Sequence, residues 1–174
     1  MSWGLDLEPL VDVVIEDERW ESLGFEDLAE RAVRAAIKTL DLPRTGLTLC
    51  VMGCDDAYIQ KLNWSFRKIT GPTNVLSWPS WDLAAEAEGA TPVPPPVGTS
   101  DDPEMLGDIA LAWDTCETEA KQAGKQMADH VTHLIVHGFL HLLGYDHIRE
   151  GDARLMEALE VRILASLGLS DPYE

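Results

Sequence analysis

The chain is poor in positive charge, in cysteine and in long apolar runs, and each shortage excludes a class of protein. Thirteen Lys and Arg stand against 31 Asp and Glu, giving a formal net charge of -18 over 174 residues. Such a surface repels phosphate and is a poor match to nucleic acid in general, so a DNA-binding protein is not expected. The three cysteines, Cys50, Cys54 and Cys116, are odd in number and without paired spacings. That argues against a disulfide scaffold and fits a reducing cytoplasm. Cys50 and Cys54 are four apart, but no second pair accompanies them and Cys50 falls in a strand pattern, so buried thiols fit better than metal ligands. No apolar run approaches membrane-spanning length. The N-terminal stretch from Met1 to Asp6 has neither the basic segment nor the apolar core of a secretion signal. There is no internal repeat, and residues 1–174 read as one domain with a real core.

The acids are unevenly placed. Residues 1–30 hold ten of them against one base, Arg19, and residues 82–104 hold six and no base. The few cations include a local group, Lys61, Arg67 and Lys68.

Periodicity lays out an α+β fold. Val11–Ile15 is rich in β-branched residues and reads as a first strand; residues 46–52, 75–78 and 107–112 read as three more. Helical spacing covers residues 25–40, where Leu28, Ala32, Ala35, Ala36 and Leu40 mark one face. Further helices are expected over 55–67 with Asp55 or Asp56 as cap, 114–125, 129–143 and 152–167, the last with a stripe of Leu155, Leu159, Ile163 and Leu167. About four strands in a single mixed sheet, packed by about five helices, is the expected architecture, with the histidine-bearing helix against the sheet. The Ala-, Glu- and Pro-rich segment 82–104 is expected to be a mobile surface loop.

The chemistry concentrates in His137-Gly138-Phe139-Leu140-His141-Leu142-Leu143-Gly144-Tyr145-Asp146-His147. His137 and His141 lie one turn apart on one helical face. Gly144 can end the helix in a left-handed conformation, and the returning chain can bring His147 to the same point. Three neutral imidazoles converging from a helix and its turn make a divalent-metal site with an open position, the arrangement of a catalytic metal rather than a structural one. A metal so held lowers the pKa of bound water toward neutrality. Zinc suits three imidazoles, and nickel, cobalt and iron also bind them. The spacing is shared with the protease motif H-E-x-x-H-x-x-G-x-x-H, but Gly138 stands where that motif has its general base. His133, four residues before His137, is a candidate partner of the ligands or a donor in the pocket. Asp146 could orient a histidine or accept a proton, or serve only as a turn residue. His130 is expected at an exposed helix start.

The run His137 to His147 resembles the signature of the YbeY family, H-G-x-L-H-L-x-G-Y-D-H, and agrees at every fixed position. Leu62-Asn63-Trp64-Ser65-Phe66-Arg67, Pro72-Thr73-Asn74-Val75-Leu76-Ser77-Trp78-Pro79 and Leu106-Gly107-Asp108-Ile109 resemble the same family, in order, over roughly residues 45 to 165. Trp78 replaces the usual phenylalanine, and Asn74 stands where aspartate is common. The resemblance implies a cytoplasmic, zinc-dependent endoribonuclease. Its substrate would be single-stranded RNA, in maturation of ribosomal RNA at the small-subunit 3′ end and in ribosome quality control. It implies one Zn2+ on His137, His141 and His147, with His141 and Arg67 catalytic. A guanidinium near the metal would clamp the scissile phosphate and offset charge in the transition state. Lys68, beside it, is a further substrate-contact candidate. Ribosomal proteins are the expected partners, and no membrane is. Two other readings stand beside this one: a metallohydrolase of another bond, such as a peptidase using Asp146, and a non-catalytic, metal-braced ribosome assembly factor.

Overall fold

The computed structural model describes residues 10–174. Asp6 and Glu8 of the acidic N-terminal segment therefore lie outside the described residues. Four strands, β1 (Val11–Ile15), β2 (Leu47–Cys54), β3 (Val75–Pro79) and β4 (Glu104–Ala112), form one sheet in the order β1-β2-β4-β3. The first three neighbours in space run parallel, and β3 pairs antiparallel with β4 at the sheet's edge. The sheet is mixed, as the sequence predicts.

Alternation along the strands divides the interior. Leu49, Val51, Ile109 and Leu111 face the main core, which α2 (Phe25–Thr39), α5 (Met127–Leu142) and α6 (Glu150–Ser166) close. Ala110, Ala112, Cys54 and Leu76 face the other side, where Ile59 of α3 (Asp56–Arg67) covers them. Leu106 shares a face with Ile109 because the β2–β4 register shifts between them. Gly107 sits in that bulge at φ 144, and a Cβ there would lie 2.3 Å from the Trp78 carbonyl oxygen. Only glycine allows so close an approach.

Asp55 caps α3 by accepting from the Tyr58 amide at 2.8 Å. Asp56 instead accepts from the amide and hydroxyl of Thr115, tying α3 to α4 (Trp113–Gln122). The four-residue helix α1 (Arg19–Ser22) has no counterpart in the sequence reading. It exists to bury Trp20, whose indole donates to the Cys54 carbonyl at 2.9 Å and fills the space beside Gly53. One turn of helix is too short to show periodicity.

Residues 80–103 form neither helix nor strand. Leu83 is buried, Arg149 donates to the carbonyls of Ala85 and Glu86, and the Gly98 amide donates to Gly46 at 2.9 Å. Among the described residues no helix is long and apolar enough to cross a membrane.

Candidate metal centre and substrate cleft

Helix α5 packs so tightly on β4 that a Cβ at Gly138 would lie 3.2 Å from two carbons of Ile109. The helix face beside that contact carries His137 and His141, whose Nε2 atoms are 3.0 Å apart. At the end of α5, Gly144 adopts φ 99; its amide donates to His141, and the Tyr145 amide reaches back to Leu140 at 3.0 Å. This paired closure satisfies the last carbonyls of the helix and reverses the chain. The reversal returns His147, so one ring nitrogen from each of the three histidines falls within 4.8 Å of the others.

The remaining ring nitrogens decide which atoms face that point. Glu160 Oε1 lies 2.7 Å from His137 Nδ1, and the Tyr145 carbonyl lies 3.0 Å from His141 Nδ1. A carboxylate and a carbonyl only accept, so both Nδ1 atoms carry the proton. Burial, then the neighbouring His137 and His147, lower the His141 pKa to about 4, so that ring is neutral at pH 7. The two Nε2 atoms, 3.0 Å apart, are the ring nitrogens left to face each other, and they suit a shared cation. The donor set fits a divalent metal on chemistry as well as on distance.

Glu160 is absent from the sequence reading. The buried stripe of α6 is Met156, Leu159, Glu160, Ile163 and Leu164, rotated from the expected one so that Leu155 is only half-buried. The one local signal is a carboxylate four residues after Met156 and three before Ile163, which interrupts an apolar face without indicating its partner. Burial pushes the Glu160 carboxyl up, but hydrogen bonds from His133, His137 and Tyr173 outweigh it and hold the pKa at about 2.

The other candidates separate. His133 lies outside the three-histidine cluster and donates from Nε2 to Glu160 Oε2 at 2.7 Å. His130 is half-buried rather than exposed, because α5 begins at Met127 and turns the ring toward Glu119 at 2.9 Å. Asp146 accepts from the His147 amide at 2.7 Å and lines the cleft.

That cleft, of about 890 Å³, runs between β3 and the histidine turn. Arg67, the last residue of α3, is the one Lys or Arg lining it among the described residues. Lys68 does not line it; its Nζ lies 5.6 Å from the centre of the Trp64 ring. Asn74 also lines it, its amide nitrogen 3.0 Å from Glu119 Oε1. Near Arg67, Phe66 is 66% exposed and Trp64 is 53% exposed, although both are aromatic.

The lowered His141 pKa sets an acid limit for the metal-free protein. The unfolded chain takes up this proton near pH 6.5 and the folded chain only near 4. Stability from this group is therefore full above pH 6.5 and lost as the pH falls from there to 4. Thermal unfolding of chelator-treated protein across this range should show a steady drop in melting temperature. His141→Asn should flatten that drop.

The Endoribonuclease YbeY family model matches residues 12–168. A protein named Endoribonuclease YbeY from Cereibacter sphaeroides is 59% identical over 167 residues, 96% of this chain and 100% of that one. One of the same name from Ruegeria pomeroyi is 56% identical over 164 residues, 94% of this chain and 97% of its own. The solution structure of TM1509 from Thermotoga maritima aligns with a TM-score of 0.53 at 18% identity. It covers 94% of this chain and 99% of that one, and at that identity the likeness concerns the fold alone.

Proposed function

This chain belongs to the YbeY endoribonuclease family, and on that premise we propose that it is a single-domain, zinc-dependent endoribonuclease cutting single-stranded ribosomal RNA. The observation that carries the reading is the shared cleft, whose one lining Lys or Arg among the described residues, Arg67, lines it together with His137, His141 and His147. A phosphodiester needs both: a cation for its charge and a centre that activates the attacking oxygen. When bound, zinc supplies Lewis acidity and acidifies water. The chain's own residues do the rest. Arg67 binds and orients the scissile phosphate. Glu160 and the Tyr145 carbonyl hold the Nδ1 protons of His137 and His141 and turn their Nε2 atoms toward the histidine cluster. Asp146 braces the His147 backbone.

Two features support a single strand as substrate. Lys61, Arg67 and Lys68 form no ion pair among the described residues, so they remain available to phosphate on an otherwise acidic body. Trp64 and Phe66 are exposed near them in the chain, and unpaired bases stack on aromatic rings. Trp64→Ala, which removes a ring touching Lys68, should weaken binding of a single-stranded ribosomal 3′-end RNA to metal-free protein about tenfold. Fluorescence anisotropy with a duplex control should show no comparable loss for the duplex.

Peptide hydrolysis is disfavoured by packing. A glutamate at position 138 would start 3.2 Å from side-chain carbons of Ile109, so the protease base could enter only if Ile109 gave way. The acidic surface suits basic ribosomal proteins, which would deliver rRNA during maturation of the small-subunit 3′ end and ribosome quality control. Three free cysteines, two of them buried, fit a cytoplasmic setting.

The test is one metal-loaded sample offered single-stranded ribosomal 3′-end RNA, its duplex form and casein. Cleavage of the first alone, stopped by chelator and restored by zinc, is the expected result. Casein cleavage, or RNA cleavage indifferent to chelator, would overturn the proposal.

A further inference from the structure

Glu160 is fully buried and accepts three hydrogen bonds, two of them from residues outside the ligand set. Its Oε2 takes His133 Nε2 at 2.7 Å and the Tyr173 hydroxyl at 2.6 Å. Its Oε1 is left to His137 Nδ1 at 2.7 Å. The two oxygens thus have separate duties. Tyr173 belongs to the segment after α6, and its ring meets that of His133 edge-on at 5.9 Å. Beneath the segment, Leu169, Ser170 and Pro172 wall a cavity of about 220 Å³ that His133 also lines.

A carboxylate's last torsion is soft and roughly two-fold, so a buried Glu held by one partner could swing and exchange its oxygens. Two donors on Oε2 remove that freedom. They fix Oε1 on His137, keep the proton on Nδ1 and aim Nε2 at the histidine cluster.

We infer that Glu160 and Tyr173 are positioning residues for His137, and that docking of residues 169–173 is coupled to divalent-metal affinity through the Glu160 carboxylate. The inference rests on the metal half of the proposed function. Because the coupling is a free energy shared by two events, it acts in both directions: the docked segment favours the metal, and the metal favours the docked segment.

Three measurements test it on the full chain, with zinc as probe. Chelator competition should give a zinc Kd about 10–100-fold weaker in Glu160→Gln, the range for losing a carboxylate behind a histidine ligand. Tyr173→Phe, which removes one hydroxyl, should weaken it by about 3–10-fold, roughly one hydrogen bond's worth. Nitrogen-15 spectra of the metal-free proteins should show the His137 proton on Nδ1 in the wild type and shared between both nitrogens in Glu160→Gln. A purely structural role would leave that tautomer unmoved. Saturating zinc should slow carboxypeptidase removal of the last residues in the wild type and not in Tyr173→Phe. If wild-type protein binds zinc and both variants match it within about twofold with the same tautomer, the inference fails alone. If zinc leaves tail digestion unchanged, the coupling fails. If the wild type binds no zinc, the metal reading fails and takes the inference with it.

Discussion

Arg67→Ala should keep its zinc and its melting temperature and lose RNA cleavage by about 10²–10³-fold, the effect of removing one group that stabilises developing charge. The separation follows from where the residue sits. Arg67 ends α3, is exposed, and forms no ion pair among the described residues, so its removal leaves no buried partner unsatisfied. It lines the same cleft as the histidines and is not one of the three that could share a cation. Arg67→Lys should recover only part of the loss. The ammonium restores the charge, but not the planar fork that grips two phosphate oxygens at once. His141→Ala gives the opposite signature, with zinc and cleavage lost together, because that ring is one of three within 4.8 Å. Metal analysis, thermal unfolding and single-turnover cleavage on the three proteins check the pattern. An Arg67→Ala protein that cuts at the wild-type rate would remove the residue from the reaction.

Much of this site is legible in the sequence, because its parts are local. Histidines four apart share a helical face by geometry alone, and Gly144 announces the turn that returns His147. The strands were legible from β-branched runs, and Asp55 from its capping chemistry. What escaped was long-range. Glu160 is 23 positions from the ring it holds, and Tyr173 lies 13 further on. No periodicity links a helix to a segment that packs on it from another part of the chain. The expected α6 stripe of Leu155, Leu159, Ile163 and Leu167 is right at Leu159 and Ile163 and omits Glu160, since a lone carboxylate ordinarily marks the wet face. His130 was misjudged for a related reason. Its burial depends on Glu119, which reaches it from α4.

Gly144→Ala is the substitution expected to damage most with the fewest atoms. At φ 99 the residue occupies backbone space that an L side chain rarely enters, at a cost of roughly 1–2 kcal/mol. A Cβ would also stand 2.7 Å from the Leu83 carbonyl carbon and 2.8 Å from its oxygen. Both are backbone atoms of the 80–103 segment and cannot rotate away, so overpacking adds roughly another 1–2 kcal/mol. A total near 2–4 kcal/mol corresponds to a melting temperature lower by roughly 5–15 °C in a domain of this size. The chemical loss should exceed the thermal one, because the turn holds two ligands rather than one. It returns His147 to the cluster, and it presents the Tyr145 carbonyl to His141 Nδ1 at 3.0 Å. A shifted turn frees the His141 proton to move to Nε2, where it would occupy the lone pair a cation needs. The protein should therefore fold at 20 °C, with native far-ultraviolet dichroism, yet bind zinc at least about tenfold more weakly. Zinc titration beside a melting curve distinguishes the two effects. Full metal affinity in a protein melting at the wild-type temperature would show that the turn tolerates a side chain, and would overturn the prediction.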